Sequence, residues 1–228
     1  MENQSAQIHV RGPNLDDTDF ILAAWDSTLP FLASIGAGEM WGDEPFSLRE
    51  GQKQETIEII RRSEGDPQDD SRRLLVAEVT ATTDGIAGAA PVGAAIIRDV
   101  MPYYLLERPE LKGEVDKADS LLFIEVLITD HRVDRQHRGA GAALVEAIKR
   151  RAIWKGKSAV YVDAWAGNGR KLNKYYESLG FENVGDYSLT RRNGSIWPGT
   201  LYRFGLEAVN TVFSTAVADF ENEHVRLS

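Results

Sequence analysis

The chain predicts an α/β (α+β) fold in one domain, with a mixed central sheet of about seven strands flanked by helices. Three observations carry this. Short apolar runs alternate with amphipathic stretches in a mixed order, no segment repeats, and 43% hydrophobic residues among 228 suffice for a substantial core.

Ile8 to Val10 reads as a first strand. Asp16 to Ala33 follows as a helix, with Phe20, Leu22, Ala23 and Ala24 as apolar positions and Asp16 or Asp17 as its cap. The glycine-bearing run Ser34 to Pro45 reads as a loop anchored by Met40, Trp41 and the nearby Phe46. A second helix spans Leu48 to Arg62, with Ile57, Ile59 and Ile60 as core candidates. After the polar breaker Ser63 to Asp70 comes the strand Leu74 to Val79, and Thr83 to Pro91 joins it to a returning strand, Val92 to Val100.

An excursion from Met101 to Ser120 leads to Leu121 to Val133, the expected central strand. Ala142 to Lys155 is an amphipathic helix with Leu144, Val145, Ile148 and Ala152 on one face. Ser158 to Trp165 returns as a strand, and Lys171 to Leu179 forms a helix with Gly180 at its left-handed stop. Val184 to Thr190 and Thr200 to Leu206 complete the sheet. Beyond Glu207, the spacing of Val209, Val212, Phe213, Ala216, Val217 and Phe220 predicts a C-terminal helical extension. It packs on its own domain or forms a subunit contact, which leaves a homodimer open.

Composition excludes several classes of function. Cysteine is absent, which removes disulfides, thiolate metal sites and cysteine-linked covalent intermediates. His9, His131, His137 and His224 show no metal-ligand spacing, so no metal is expected. A net charge of -9 disfavours nucleic acid as a partner. No window reaches the roughly 18 consecutive apolar residues of a membrane span, and Met1 to Ala6 does not read as a signal peptide. A soluble, cytoplasmic protein with no membrane partner is the expectation.

The most informative stretch is Arg138-Gly139-Ala140-Gly141-Ala142-Ala143, a turn between the central strand and the long helix. Glycines there let the backbone bend tightly and approach an anion, while the helix start offers unpaired N–H groups and the positive end of its dipole. A dinucleotide fingerprint is one rival, supported by Asp163 about twenty residues downstream as a ribose-binding acid. Against it, the third glycine position is Leu144, and the polar run Asp134 to Arg138 separates the strand from the first glycine. A nucleotide P-loop fails because no Gly-Lys-Ser or Gly-Lys-Thr follows.

The turn resembles that of the GNAT superfamily of N-acetyltransferases, in which Gln or Arg is followed by two residues, Gly, one residue, and Gly or Ala. Arg138, Gly141 and Ala143 occupy the specified positions. The resemblance continues through Asn168, Tyr175, Tyr176 and Glu177-Ser178-Leu179-Gly180-Phe181, and covers Leu121 to Phe181 firmly. It implies a GNAT-like domain over 1–228, divided into an acceptor side at 7–62, sheet at 72–133, an acetyl-CoA-binding core at 134–181, late strands at 182–206 and the extension at 207–228.

The resemblance further implies direct transfer of an acetyl group from acetyl-CoA, as co-substrate, to an amine. Backbone amides from Arg138 to Ala143 would hold the pyrophosphate, and the strand end from His131 to Val133 would pair with pantetheine. A lysine-like amine, with a pKa of roughly 10.4, is neutral in only about one molecule in 2,500 at pH 7, so a base is useful. Glu125, thirteen residues before Arg138, has the spacing of a GNAT catalytic glutamate, and its apolar flanks are expected to raise its pKa.

A tyrosine would protonate the departing sulfur. Counting back from Gly180-Phe181 selects Tyr176, counting forward from Asn168 selects Tyr175, and the nearer anchor favours Tyr176. For the acceptor, Trp41, Glu39, Asp43 and Glu44 of the early loop and Trp197 of the late one could join an aromatic wall to acids suited to a cationic amine. A small-molecule amine leads; a protein lysine or N-terminus, and a noncatalytic acyl-CoA-binding module, are the alternatives.

Overall fold

The computed structural model of the chain describes residues 7–83, 86–133, 138–191 and 194–206. The elements run β1 (Gln7–Arg11), α1 (Asp17–Ser34), α2 (Gln52–Gly65), β2 (Arg73–Thr83), β3 (Ile86–Arg98), α3 (Tyr103–Leu106), α4 (Lys112–Val115), β4 (Leu121–Thr129), α5 (Ala140–Trp154), β5 (Ala159–Trp165), α6 (Lys171–Ser178), β6 (Glu182–Thr190) and β7 (Ile196–Gly205). The seven strands form one mixed sheet in the order β1-β2-β3-β4-β5-β7-β6. Neighbours are antiparallel except β4 and β5. Parallel neighbours require a crossover, and α5 supplies it.

Strand alternation divides the apolar residues between two faces. On one, Leu122 and Ile124 of β4 and Val160 and Val162 of β5 pack beneath Leu144, Val145 and Ile148 of α5. The other carries two patches. Ile21, Trp25, Ile59 and Ile60 of α1 and α2 cover Leu74, Val76, Ala94 and Ile96, while Leu105 and Leu111 cover Phe123, Tyr161 and Leu201. The excursion at 101–120 is therefore a folded plug containing α3 and α4.

Two boundaries differ from expectation in ways that matter for the site. The expected central strand to Val133 stops at Thr129. The buried Asp130 ends it, because its carboxylate accepts the Arg132 backbone N–H at 2.9 Å and the Arg132 guanidinium at 2.7 and 2.8 Å, folding the chain back on itself. The long helix starts at Ala140, not Ala142, so most of the glycine-bearing turn is helical. The polar run 134–137 and the expected extension at 207–228 lie outside the described residues.

Candidate active site

Parallel pairing of β4 with β5 runs from Leu121–Ala159 to Ile124–Val162 and then ends. The next pair in register would be Glu125 with Asp163. Instead β4 continues on β3 to Thr129, while β5 continues on β7 to Trp165, so the two strands part. A bulge accompanies the split. Ile97 faces Ile124 but Ile96 faces Val126, which leaves Glu125 as the extra residue. Strict alternation from Phe123 would send Val126 and Ile128 to the α5 face; after the bulge both lie beneath α1.

A cleft of about 690 Å³ opens at the split, walled by residues 124–129 of β4, the α5 turn and α6. Trp41, Trp165 and Trp197 also line it. Gly139 has φ of +88°, the left-handed conformation that favours glycine, and caps α5. The first intrahelical bond is Ala143 N–H to the Gly139 carbonyl at 2.9 Å. Ala143 therefore has no free amide to offer, contrary to expectation. The amides of Ala140, Gly141 and Ala142 have no acceptor within the helix, the arrangement of a helix start that suits an anion cradle. Arg138 is exposed at the same rim.

Gly141 is needed for a close approach. A Cβ built there would lie 2.6 Å from the Tyr175 hydroxyl, so the turn and α6 touch through the missing side chain. Tyr175 thus lies against the cradle, and burial raises its pKa. Its neighbour is fixed by the end of α6. Gly180, with φ of +83°, donates its N–H to Glu177, and Phe181 donates to Tyr176, the Schellman pattern that brings the Phe181 and Tyr176 rings to 5.8 Å. Tyr176 is 4% exposed, borders the cleft, and has its pKa raised by burial first and by the charges of Tyr175 and Asp163 next.

The carboxylates at the split have opposite surroundings. Glu125 lines the cleft but is not the solitary desolvated acid that its apolar flanks suggest. Arg72 donates to it at 3.0 and 3.1 Å, Arg98 donates at 3.2 Å, and Arg98 Nη2 lies 2.9 Å from its second oxygen. Arg72 also binds Glu55. Local sequence does not reveal these partners, which come from the residue just before β2 and from the end of β3. Asp163 is enclosed, and its Oδ2 accepts Tyr187 Oη–H at 2.5 Å and Tyr104 Oη–H at 3.1 Å. Burial raises its pKa, the two hydroxyls oppose that rise, and Asp163 lines the cleft. Both tyrosines hold it through the same carboxylate oxygen.

His131 lines the cleft, but its backbone N–H donates to Ser27 Oγ at 3.0 Å and its ring stacks on Phe31 at 4.2 Å. Its amide is therefore not a free strand edge; Val133 packs into the core beneath α5. The edge that no longer pairs with β5 is 125–129 instead. Asn168, at φ of +48°, sits in the turn before α6 outside the cleft lining. Trp41 meets Trp25 and Phe46 edge-on at 6.4 and 5.8 Å. Trp197 lies against Tyr187 at 6.0 Å. Glu39 is exposed and borders a separate groove of about 700 Å³ with Asp26 and Asp43. What joins the two loops is Arg191, a residue no local pattern marked: its guanidinium donates to the carbonyls of Glu39 and Met40.

No sequence-family model and no curated protein matches the chain. Solved structures do match its fold. A GNAT-family acetyltransferase from Listeria monocytogenes superposes with a TM-score of 0.57 at 16% identity, over 90% of this chain and 99% of its own. A ribosomal-protein-alanine N-acetyltransferase from Brucella melitensis gives 0.55 at 15%, over 87% and 99%. A Salmonella typhimurium protein solved with acetyl-CoA gives 0.52 at 15%, over 88% and 94%. The chain has the fold of the GNAT acetyltransferases.

Proposed function

We propose that the chain transfers an acetyl group from acetyl-CoA directly to a primary amine of a small molecule. The observation that carries this is the parting of β4 from β5 beside the start of α5. The split bares the polar edge of 125–129 for an extended amide-bearing arm, and the amides of Ala140, Gly141 and Ala142 suit a diphosphate at its end. Tyr176, kept protonated by burial, is the candidate donor to the leaving sulfur. Arg191 ties the β6–β7 hairpin to the loop bearing Trp41. That tie across the cleft mouth favours a small acceptor over a protein segment.

Acetyl-CoA at a hundredfold excess over its Kd should stabilise the fold by about 2.7 kcal/mol, read as a thermal shift. NAD should give none. The reverse result, or binding without turnover on a panel of amines, would overturn the proposal.

A further inference from the structure

Of the two carboxylates at the split, only one is charge-paired. Glu125 is held by Arg72 and Arg98. Asp163 is held by hydroxyls and by its own backbone N–H, with no cation among the described groups that act on it. Tyr104 reaches it from α3 and Tyr187 from β6, both bonded to Oδ2. Tyr176 of α6 lies within its electrostatic reach. Beyond Tyr104 stand Arg98 and Glu125, and beyond Tyr187 stands Arg108. Neither tyrosine bond occupies Oδ1. The cleft therefore holds one carboxylate without a counter-ion beside aromatic walls, a setting for an ammonium group.

We propose that Asp163 takes the proton from the acceptor's ammonium group, with Tyr104 and Tyr187 holding the carboxylate at the split. This rests on the acetyl-transfer reading above. In the step, an ammonium N–H bond breaks and its proton goes to Asp163. The freed nitrogen bonds to the thioester carbonyl carbon, the C–S bond breaks, and its electron pair leaves on sulfur. A second proton lost from nitrogen balances the one gained by sulfur, and Asp163 returns its proton to water.

The first test needs no substrate. In a ¹³C carboxyl titration of the unliganded chain, one aspartate should titrate well above the usual value of about 3.9. Asp163→Asn should abolish that signal. Tyr187→Phe should move it higher, because a hydrogen bond to the charged form is lost. With an acceptor from the amine panel, Asp163→Asn should lower kcat/KM about 100-fold or more and remove the acidic limb of its pH profile. Tyr187→Phe should shift that limb upward, which covers the case in which Asp163→Asn fails to fold. Glu125→Gln should leave the limb in place.

An Asp163 signal in the ordinary range, a wild-type limb in Asp163→Asn, or a limb that follows Glu125 would each overturn the assignment. A wild-type chain that binds acetyl-CoA but acetylates no amine would overturn both the acetyl-transfer reading and this one.

Discussion

One methyl group added at Gly141 tests the contact between the turn and α6. The new Cβ would sit 2.6 Å from the Tyr175 hydroxyl, where ordinary contact begins near 3.4 Å, so the hydroxyl must retreat by about 0.8 Å. Overpacking of this kind costs about 1–3 kcal/mol. Against it, alanine is a better helix former than glycine by at most about 1 kcal/mol. The clash wins. Gly141→Ala should lose about 1–2 kcal/mol and lower Tm by roughly 2–8 °C.

The sign should reverse once the hydroxyl is gone. In Tyr175→Phe the nearest remaining atom is the ring carbon at 3.6 Å, an ordinary contact, so Gly141→Ala becomes neutral or slightly stabilising. Thermal denaturation of the four chains completes the cycle. Displacing the turn should also weaken acetyl-CoA binding by about 10- to 100-fold in calorimetry, the worth of one hydrogen bond to a charged group. An unaffected Gly141→Ala chain, or an equal loss in both backgrounds, would refute the packing described for the cradle.

Further outcomes follow from the same structure. Gly180→Ala should cost about 1–2 kcal/mol in urea denaturation, because φ of +83° strains any residue with a Cβ while its nearest neighbour, Phe204 at 3.4 Å, leaves room. For Asp17, burial acts to raise the pKa but is outweighed by bonds from Arg11 and the Asn14 amide, so the folded value is lowered. Its stabilisation is fully present above the unfolded value of about 3.9 and is lost as pH falls through the folded one. Asp17→Asn should therefore destabilise at pH 7 but match the native chain in strong acid.

Much of the fold was legible because periodicity reports which faces are buried. All seven strands fall near their expected places, and Gly180 is left-handed as the Gly-Phe stop implied. The early loop was harder. Glu39 and Trp41 are two residues apart, yet Trp41 lines the cleft and Glu39 faces the other groove. That separation depends on Trp41 packing against Trp25 and Phe46, and no local pattern encodes it.

The order of elements, the apolar faces and the glycines of the α5 turn follow from sequence alone, since they arise from short-range sterics and burial. The state of the acids at the split does not. Glu125 and Asp163 both read as acids within apolar strands, and only assembly brings Arg72 and Arg98 to one and Tyr104 and Tyr187 to the other. Chain neighbours decide which residues form the strands. Partners from distant elements decide which carboxylate is paired with guanidinium groups and which is held by hydroxyls in the cleft.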